Sequence, residues 1–404
     1  MRKLRITSGI AAFTSLCVLL SGCWDLVEIN RSSLLTGVAI EQGKEHRLKQ
    51  TFEVLNAAEA QAIEGGKGMS PTTLYTSEGD TLADTVARLN DQFDRLLLLS
   101  HIRVLLIDEQ MARKGLNQLL DAVRRSRYVR EDVLILITKD VPAGQVLQIL
   151  NPGGEYGSLK IRNQIENFQS TWGGVPETRL FDITQATLAH GRELMLGALT
   201  VQGNASDSSN MDSLKSTVPQ SIVKVSGAGI FRNDKLVGFL SEYDTRIVNL
   251  IRNQLKVTSL SVPLEDKDTF TSIRYQHSKT RLKVELKEKK ALIRVQIEGE
   301  GHIGGIPPSI PIDKIKGYEV LEQKTAEYIT EQMKEVIGKI QRNYQVDVFG
   351  FGEYLYRHHN REFMKVQKDW NRFFSEADIN VSVKVHIARS ELKTKSLQRE
   401  PAAP

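Results

Sequence analysis

The chain has 404 residues, with 54 Lys and Arg against 49 Asp and Glu, a net charge of +5 and two cysteines. Arg2, Lys3 and Arg5 supply three of the five excess charges, which leaves +2 over the rest of the chain with both signs mixed. That is the balance of an ordinary solvated surface, so nucleic acid is not an expected partner.

The amino terminus reads as an export signal. Three basic residues precede an apolar run at 10–20, and Leu20-Ser21-Gly22-Cys23 closes it as a lipobox. The run is too short for a bilayer span, which needs about 20 apolar residues. Cleavage after Gly22 makes Cys23 the first residue and the expected lipid attachment site, carrying diacylglycerol and, in the fuller form, an N-acyl chain. Cys17 leaves with the signal. An internal disulfide is then excluded, and so is cysteine-based redox or metal chemistry. Apart from the lipid on Cys23, no cofactor is expected.

About 380 residues remain after cleavage, more than one core usually serves, so two or three domains are expected. Residues 34–40 and 48–55 predict a hairpin, and 72–77 a third strand. A helix should follow Gly79-Asp80-Thr81, with Leu82, Val86, Leu89 and Phe93 on one face and Thr81 capping toward Asp84. Residues 104–107 predict a strand and 116–123 a helix. The unbroken apolar run Val133-Leu134-Ile135-Leu136-Ile137 predicts a strand covered on both faces. A helix at 141–150 should stop at Asn151-Pro152-Gly153-Gly154, with two more helices before a strand at 194–201. This alternation points to an N-terminal α/β layer domain at 23–202, after the signal peptide at 1–22.

The stretch 203–217 is rich in Ser and Asn and reads as a linker or exposed loop, hence a domain boundary. Residues 222–231 and 236–240 predict a hairpin turning at Asn233-Asp234, followed by a helix at 242–254. Leu282, Val284 and Leu286, then Ile293, Val295 and Ile297, alternate with charged or polar residues around a turn at 288–291, the pattern of an antiparallel sheet with one wet face. Beyond a loop with Pro307, Pro308 and Pro311, the apolar spacing from Tyr318 to Ile340 predicts a long amphipathic helix, with Glu335 and Lys339 paired on its outer side. Shorter helices are expected near Val348 and Glu362, and a strand at 379–387. The region 218–391 is thus expected to be α+β, an antiparallel sheet packed on long helices, divisible at 268/269 into a small middle domain and a third domain. The polar tail 392–404 is expected to be disordered. The fold class is therefore mixed αβ and multidomain.

No phosphate loop, nucleophile elbow, HExxH helix or dinucleotide fingerprint is present. Gly65-Gly66-Lys67-Gly68 lacks the length and the Lys-Ser of a phosphate cradle. His358 and His359 are adjacent, so on a helix they point about 100° apart and cannot face one ion together. His386 should be solvated, and His101 and His190 are isolated in sequence. No catalytic or metal residues are expected. The basic face formed by Arg281, Lys283, Lys287, Lys289 and Lys290 suits either anionic headgroups or a sheet kept soluble by charge, and the second is favoured.

Cys23-Trp24-Asp25 with Glu28-Ile29, directly after the lipobox, resembles the start of the Ger(x)C spore germination lipoproteins, the C subunits of nutrient germinant receptors. Gly227-Ala228-Gly229-Ile230-Phe231 with Lys235-Leu236-Val237-Gly238 is similar to the family's middle block. Phe349-Gly350-Phe351-Gly352-Glu353-Tyr354, then Trp370, Phe373, Phe374 and the strand at 381–387, is similar to its C-terminal signature. The pair His358-His359 with Asn360 departs from the proline-containing loop expected there. The resemblance implies three αβ domains, no enzymatic activity, two integral-membrane partners (the A and B receptor subunits), and lipid anchoring on the outer face of the inner spore membrane. A solute-binding lipoprotein of an import system is the alternative, and it would need two similar lobes around a cleft.

Overall fold

The computed structural model describes residues 32–56, 70–151, 156–188, 190–264, 269–287, 290–307, 310 and 314–388. The lipobox with Cys17 and Cys23, residues 24–29, residues 65–68, Pro152-Gly153-Gly154, the tip residues 288 and 289, Pro308, Pro311 and the tail 392–404 lie outside the described residues.

A nine-stranded sheet is built from β1 (Ser32–Gln42), β2 (Leu48–Leu55), β3 (Thr72–Gly79), β4 (Leu96–Leu98), β5 (Val104–Asp108), β6 (Leu134–Thr138), β7 (Met195–Gln202), β8 (Ile222–Arg232) and β9 (Lys235–Leu240). Its order is β3-β2-β1-β5-β6-β7-β8-β9, with short β4 also on β1. The central strands β1, β5, β6 and β7 run parallel and the flanks antiparallel. Between them lie α1 (Leu82–Arg88), α2 (Glu109–Lys114), α3 (Asn117–Arg125), α4 (Ala143–Gln148), α5 (Gly157–Thr171) and α6 (Leu180–Leu188).

The unalternating apolar run has its predicted consequence. Val133, Ile135 and Ile137 join the core packed under α2 and α3, while Leu134 and Leu136 join a separate core under α4 and α5. Successive side chains of a strand point to opposite faces, so both faces must be apolar to be covered. The α1 cap forms as expected, since the Asp84 amide donates to Thr81 Oγ1 at 3.1 Å. That helix ends at Arg88, short of Phe93, which instead packs edge-on against Tyr75.

The second unit comprises α7 (Glu242–Ile251), β10 (Val257–Pro263), β11 (Phe270–Lys287), β12 (Lys290–Gly305), α8 (Ile315–Asn343), α9 (Phe351–His358), α10 (Asn360–Val366), α11 (Trp370–Ser375) and β13 (Asp378–Ala388). The expected antiparallel pairing holds across β10, β11 and β12. The last strand departs from it, because β13 lies parallel to β12. Four helices intervene between those two strands, the long crossover that a parallel pair requires. The 29-residue α8 buries Leu321, Ile329, Met333, Val336, Ile337 and Ile340 against this sheet. Lys339 does not rely on Glu335 but reaches across to Asp244 at 2.6 Å.

The stretch 203–217 is a largely exposed connection, as a loop reading expects, but it is ordered. Residues 203–217 connect β7 and β8, which are hydrogen-bonded neighbours, so one sheet runs across the proposed boundary. The Ser and Asn content serves tight turns: Asn204 and Asn210 accept from the amides of Ser206 and Ser213, capping two short 3-10 turns. Met195, Ala228, Ile230 and Leu240 of the first sheet share a core with β10–β13 and α8, which ties the two units together.

Candidate functional site

The C-terminal signature is organised by a residue that lies just outside it. After α8 the chain turns through Gln345, at φ 53°, and buries Asp347 completely. Asp347 Oδ1 accepts from the amides of Phe349 at 3.0 Å and Gly350 at 2.9 Å. Its Oδ2 accepts from the Gly352 amide at 2.8 Å and from Trp370 Nε1 at 2.9 Å. One carboxylate thus fixes the start of α9 and the start of α11 together. Burial pushes the Asp347 carboxyl up to about 6, against the pull of these donors.

The first sheet is locked to this knot through residues 190–194. The Glu193 amide donates to Asp347 O at 2.9 Å, and the Glu353 amide donates to Gly191 O at 3.1 Å. Glu193 accepts from Asn371 Nδ2 at 2.8 Å and from the Asn233 amide at 2.7 Å, so the β8–β9 turn joins in. Arg192 pairs with Glu353 at 3.1 Å, and Arg357 takes the other Glu353 oxygen. Two glycines make the close approach feasible. A Cβ on Gly352 would lie 2.3 Å from Trp370 Nε1 and 2.5 Å from Gly191 O, and Gly191 itself has φ 83°.

The middle block docks on the same region. Tyr344, at the end of α8, lies where a Gly238 Cβ would be 2.4 Å from its ring, and its hydroxyl donates to Phe239 O at 2.9 Å. Arg232 donates to Tyr344 O at 2.8 Å. The two sequence blocks, more than a hundred positions apart, are therefore two sides of one joint.

Polar cavities of about 640, 370 and 240 Å³ surround this joint, and Arg192 lines all three. The carboxylates at the joint are all occupied by internal partners, an arrangement that holds elements in register rather than one that activates a nucleophile. Among the described residues no group of three or more His, Cys, Asp or Glu is placed to hold a metal ion.

The expected lipid site, Cys23, lies outside the described residues. His358 and His359 are exposed at the break between α9 and α10, and His358 Nδ1 lies 2.9 Å from Tyr354 O. His386 is exposed and pairs with Glu322 at 3.0 Å, while His101 and His190 are exposed beside Ser100 and Gln367. On the basic face, Arg281 pairs with Glu298, Lys283 with Glu285 and Lys290 with Asp378, so acids interleave the cations. Sequence reasoning missed Asp347, Arg192 and Glu193. An Asp two positions before Phe-Gly, ahead of a helix, is the available signal for the first.

The comparisons with known proteins follow the same layout. Residues 25–201 match the model of the spore germination protein N-terminal domain, and residues 226–391 match that of the spore germination B3/GerAC-like C-terminal domain. The chain belongs to the GerAC-like spore germination family. Family relatives include spore germination protein KC of Bacillus subtilis, 20% identical over 95% of each chain. Spore germination protein YndF of Bacillus subtilis is 25% identical over 95% of this chain and 98% of its own. Spore germination protein GerQC of Bacillus cereus is 21% identical over 94% and 97%. The crystal structure of the GerBC protein superposes with a TM-score of 0.55 at 19% identity, covering 87% of this chain and 96% of that one, so this GerAC-like chain shares its fold. Among the described residues no helix is long and apolar enough to cross a membrane.

Proposed function

We propose that this chain is the lipid-anchored C subunit of a spore nutrient germinant receptor, acting in receptor assembly or signal coupling rather than catalysis. The observation that carries the reading is the joint itself: the middle and C-terminal family blocks converge on Asp347 and Tyr344 and spend their polar groups on holding two sheets together. A joint of that kind suits a subunit that transmits or scaffolds, and its carboxylates are spent on internal partners rather than on activating a nucleophile.

The lipobox supplies the anchor. Two acyl chains on Cys23 give stable attachment, since each buried methylene contributes about 0.8 kcal/mol and one chain alone is marginal. Ser32 opens β1 nine positions after Cys23, an extended tether of at most about 30 Å. A domain confined that close to the bilayer meets integral-membrane partners at raised effective concentration. We place it with the A and B receptor subunits on the outer face of the inner spore membrane. The import-system reading requires two similar lobes, whereas a nine-stranded and a four-stranded sheet differ in size and pairing. Detergent pull-down from spores carrying Cys23→Ala tests the anchor: partner recovery and germination should both fall, and undiminished values for both would refute it.

A further inference from the structure

Arg252 stands at the C-terminal end of α7, a position where a cation commonly serves the last carbonyls of a helix. Here three of those carbonyls have backbone partners. Val248 O accepts from the Arg252 amide, Leu250 O from the Asn253 amide, and Asn249 O from the amides of Gln254 and Leu255. Thr280 Oγ1 adds a second donor to Leu250 O at 2.8 Å. The guanidinium is not needed for the cap.

Nor does a carboxylate claim it. The acids that act on Arg252 are Glu353, Asp182 and Asp347. Glu353 is divided between Arg192 and Arg357, Asp182 accepts from the Arg179 amide at 2.9 Å, and Asp347 holds four donors of its own. Among the described residues Arg252 has no ion-pair partner, and the largest charge effect on it comes from another cation, Arg192. Burial together with Arg192 lowers its guanidinium to about 10, against the pull of Glu353, Asp182 and Asp347.

The side chain lines the cavities of about 640 and 240 Å³, each of which also includes Arg192. Gln185, Gln254 and the exposed Lys256 also line the larger one, with Arg179 and the carboxylates of Glu177, Asp182 and Glu193, which are held by internal donors. We propose that this cleft binds a small molecule through its carboxylate group, received by Arg252 with Arg192 beside it. A guanidinium presents a planar fork that matches a carboxylate with two parallel hydrogen bonds. The charge count favours a single negative charge. The lining sets Arg179, Arg192, Arg252 and Lys256 against Glu177, Asp182 and Glu193, four cations to three acids and an excess of one, and a phosphate dianion would add surplus charge near Asp182 and Glu353. This assignment does not depend on the receptor role.

The test uses the full chain in non-ionic detergent, titrated with sodium acetate or butyrate against sodium chloride at equal ionic strength, with inorganic phosphate as a further arm. Both carboxylates should raise the melting temperature saturably, and chloride should not. Arg252→Lys should weaken half-saturation by about tenfold, because an ammonium cannot reproduce the fork. Arg252→Met should abolish the carboxylate increment while raising the melting temperature in chloride, since an unpaired desolvated charge is removed. Three results would overturn the site: no saturable effect of either carboxylate, an equal effect of chloride, or an undiminished increment in Arg252→Met. Stronger stabilisation by phosphate would overturn the carboxylate assignment. A lower melting temperature for Arg252→Met in chloride would show a structural role instead.

Discussion

The two sheets solve burial in opposite ways. In the nine-stranded sheet, β6 is buried at every position, and alternate side chains enter two different cores. In the four-stranded sheet, β12 alternates strictly, with Ile293, Val295 and Ile297 buried while Arg294, Gln296 and Glu298 face solvent. The lesson is that tolerance to change follows the number of covered faces, not the secondary structure type. Between the sheets sits a third regime, a polar joint whose carboxylates Asp347, Glu193 and Glu353 are all held by internal partners.

The sharpest way to break this comparison is at the joint. Asp347→Ala leaves the amides of Phe349, Gly350 and Gly352 and the Trp370 indole unpaired in a buried site. A loss of about 4 kcal/mol is expected, with the two sheets uncoupled, measured by chemical denaturation and hydrogen exchange. Less than about 1 kcal/mol would mean the knot is decoration.

A second experiment sets one sheet against the other. Leu136→Ala in β6 should cost about 3 kcal/mol through the cavity it leaves, whereas Gln296→Ala on the wet face of β12 should stay within about 0.5 kcal/mol. Equal costs for the two would contradict the one-face, two-face distinction.

The smallest effect concerns protons. Burial raises both Asp347, to about 6, and Glu53, which stands on β2 against the first turn of α5 and accepts from the Ser158 amide at 3.2 Å. A carboxyl whose folded value exceeds its unfolded one binds its proton more tightly when folded. Its stabilising contribution is therefore complete below the unfolded value, 3.8 for Asp347, and is lost as pH rises through about 6. Denaturation midpoints of the wild type, corrected for other groups by comparison with Asp347→Asn, should fall between pH 4 and about 6.5, and the variant should show a flatter slope.

Much of the architecture could be read from periodicity. The both-face strand at 133–137, the β8–β9 hairpin, the long helix and the terminal strand all announce themselves, because burial writes a period of two or 3.6 into the chain. Strands β4 and β10 escaped that reading, the first being only three residues long. The direction of β13 escaped as well, since alternation says which face is wet but not which way a strand runs. The stretch 203–217 was legible as a loop between the two family domains but not as an ordered one, because Ser and Asn are the residues of flexible linkers and equally the residues that cap tight turns. The site was half legible. Its glycines and aromatics stood out as motif, while Asp347, Arg192 and Arg252 act through long-range geometry that no local pattern encodes.

That same stretch carries a practical consequence. Because β7 and β8 zip together on either side of it, a protease that nicks the exposed 3-10 turns would sever the polypeptide without releasing either fragment. The halves should stay married through the ladder and the shared apolar interior, co-eluting on gel filtration until denaturant parts them. Coexpression of the two pieces as separate chains should, by the same logic, reconstitute the whole.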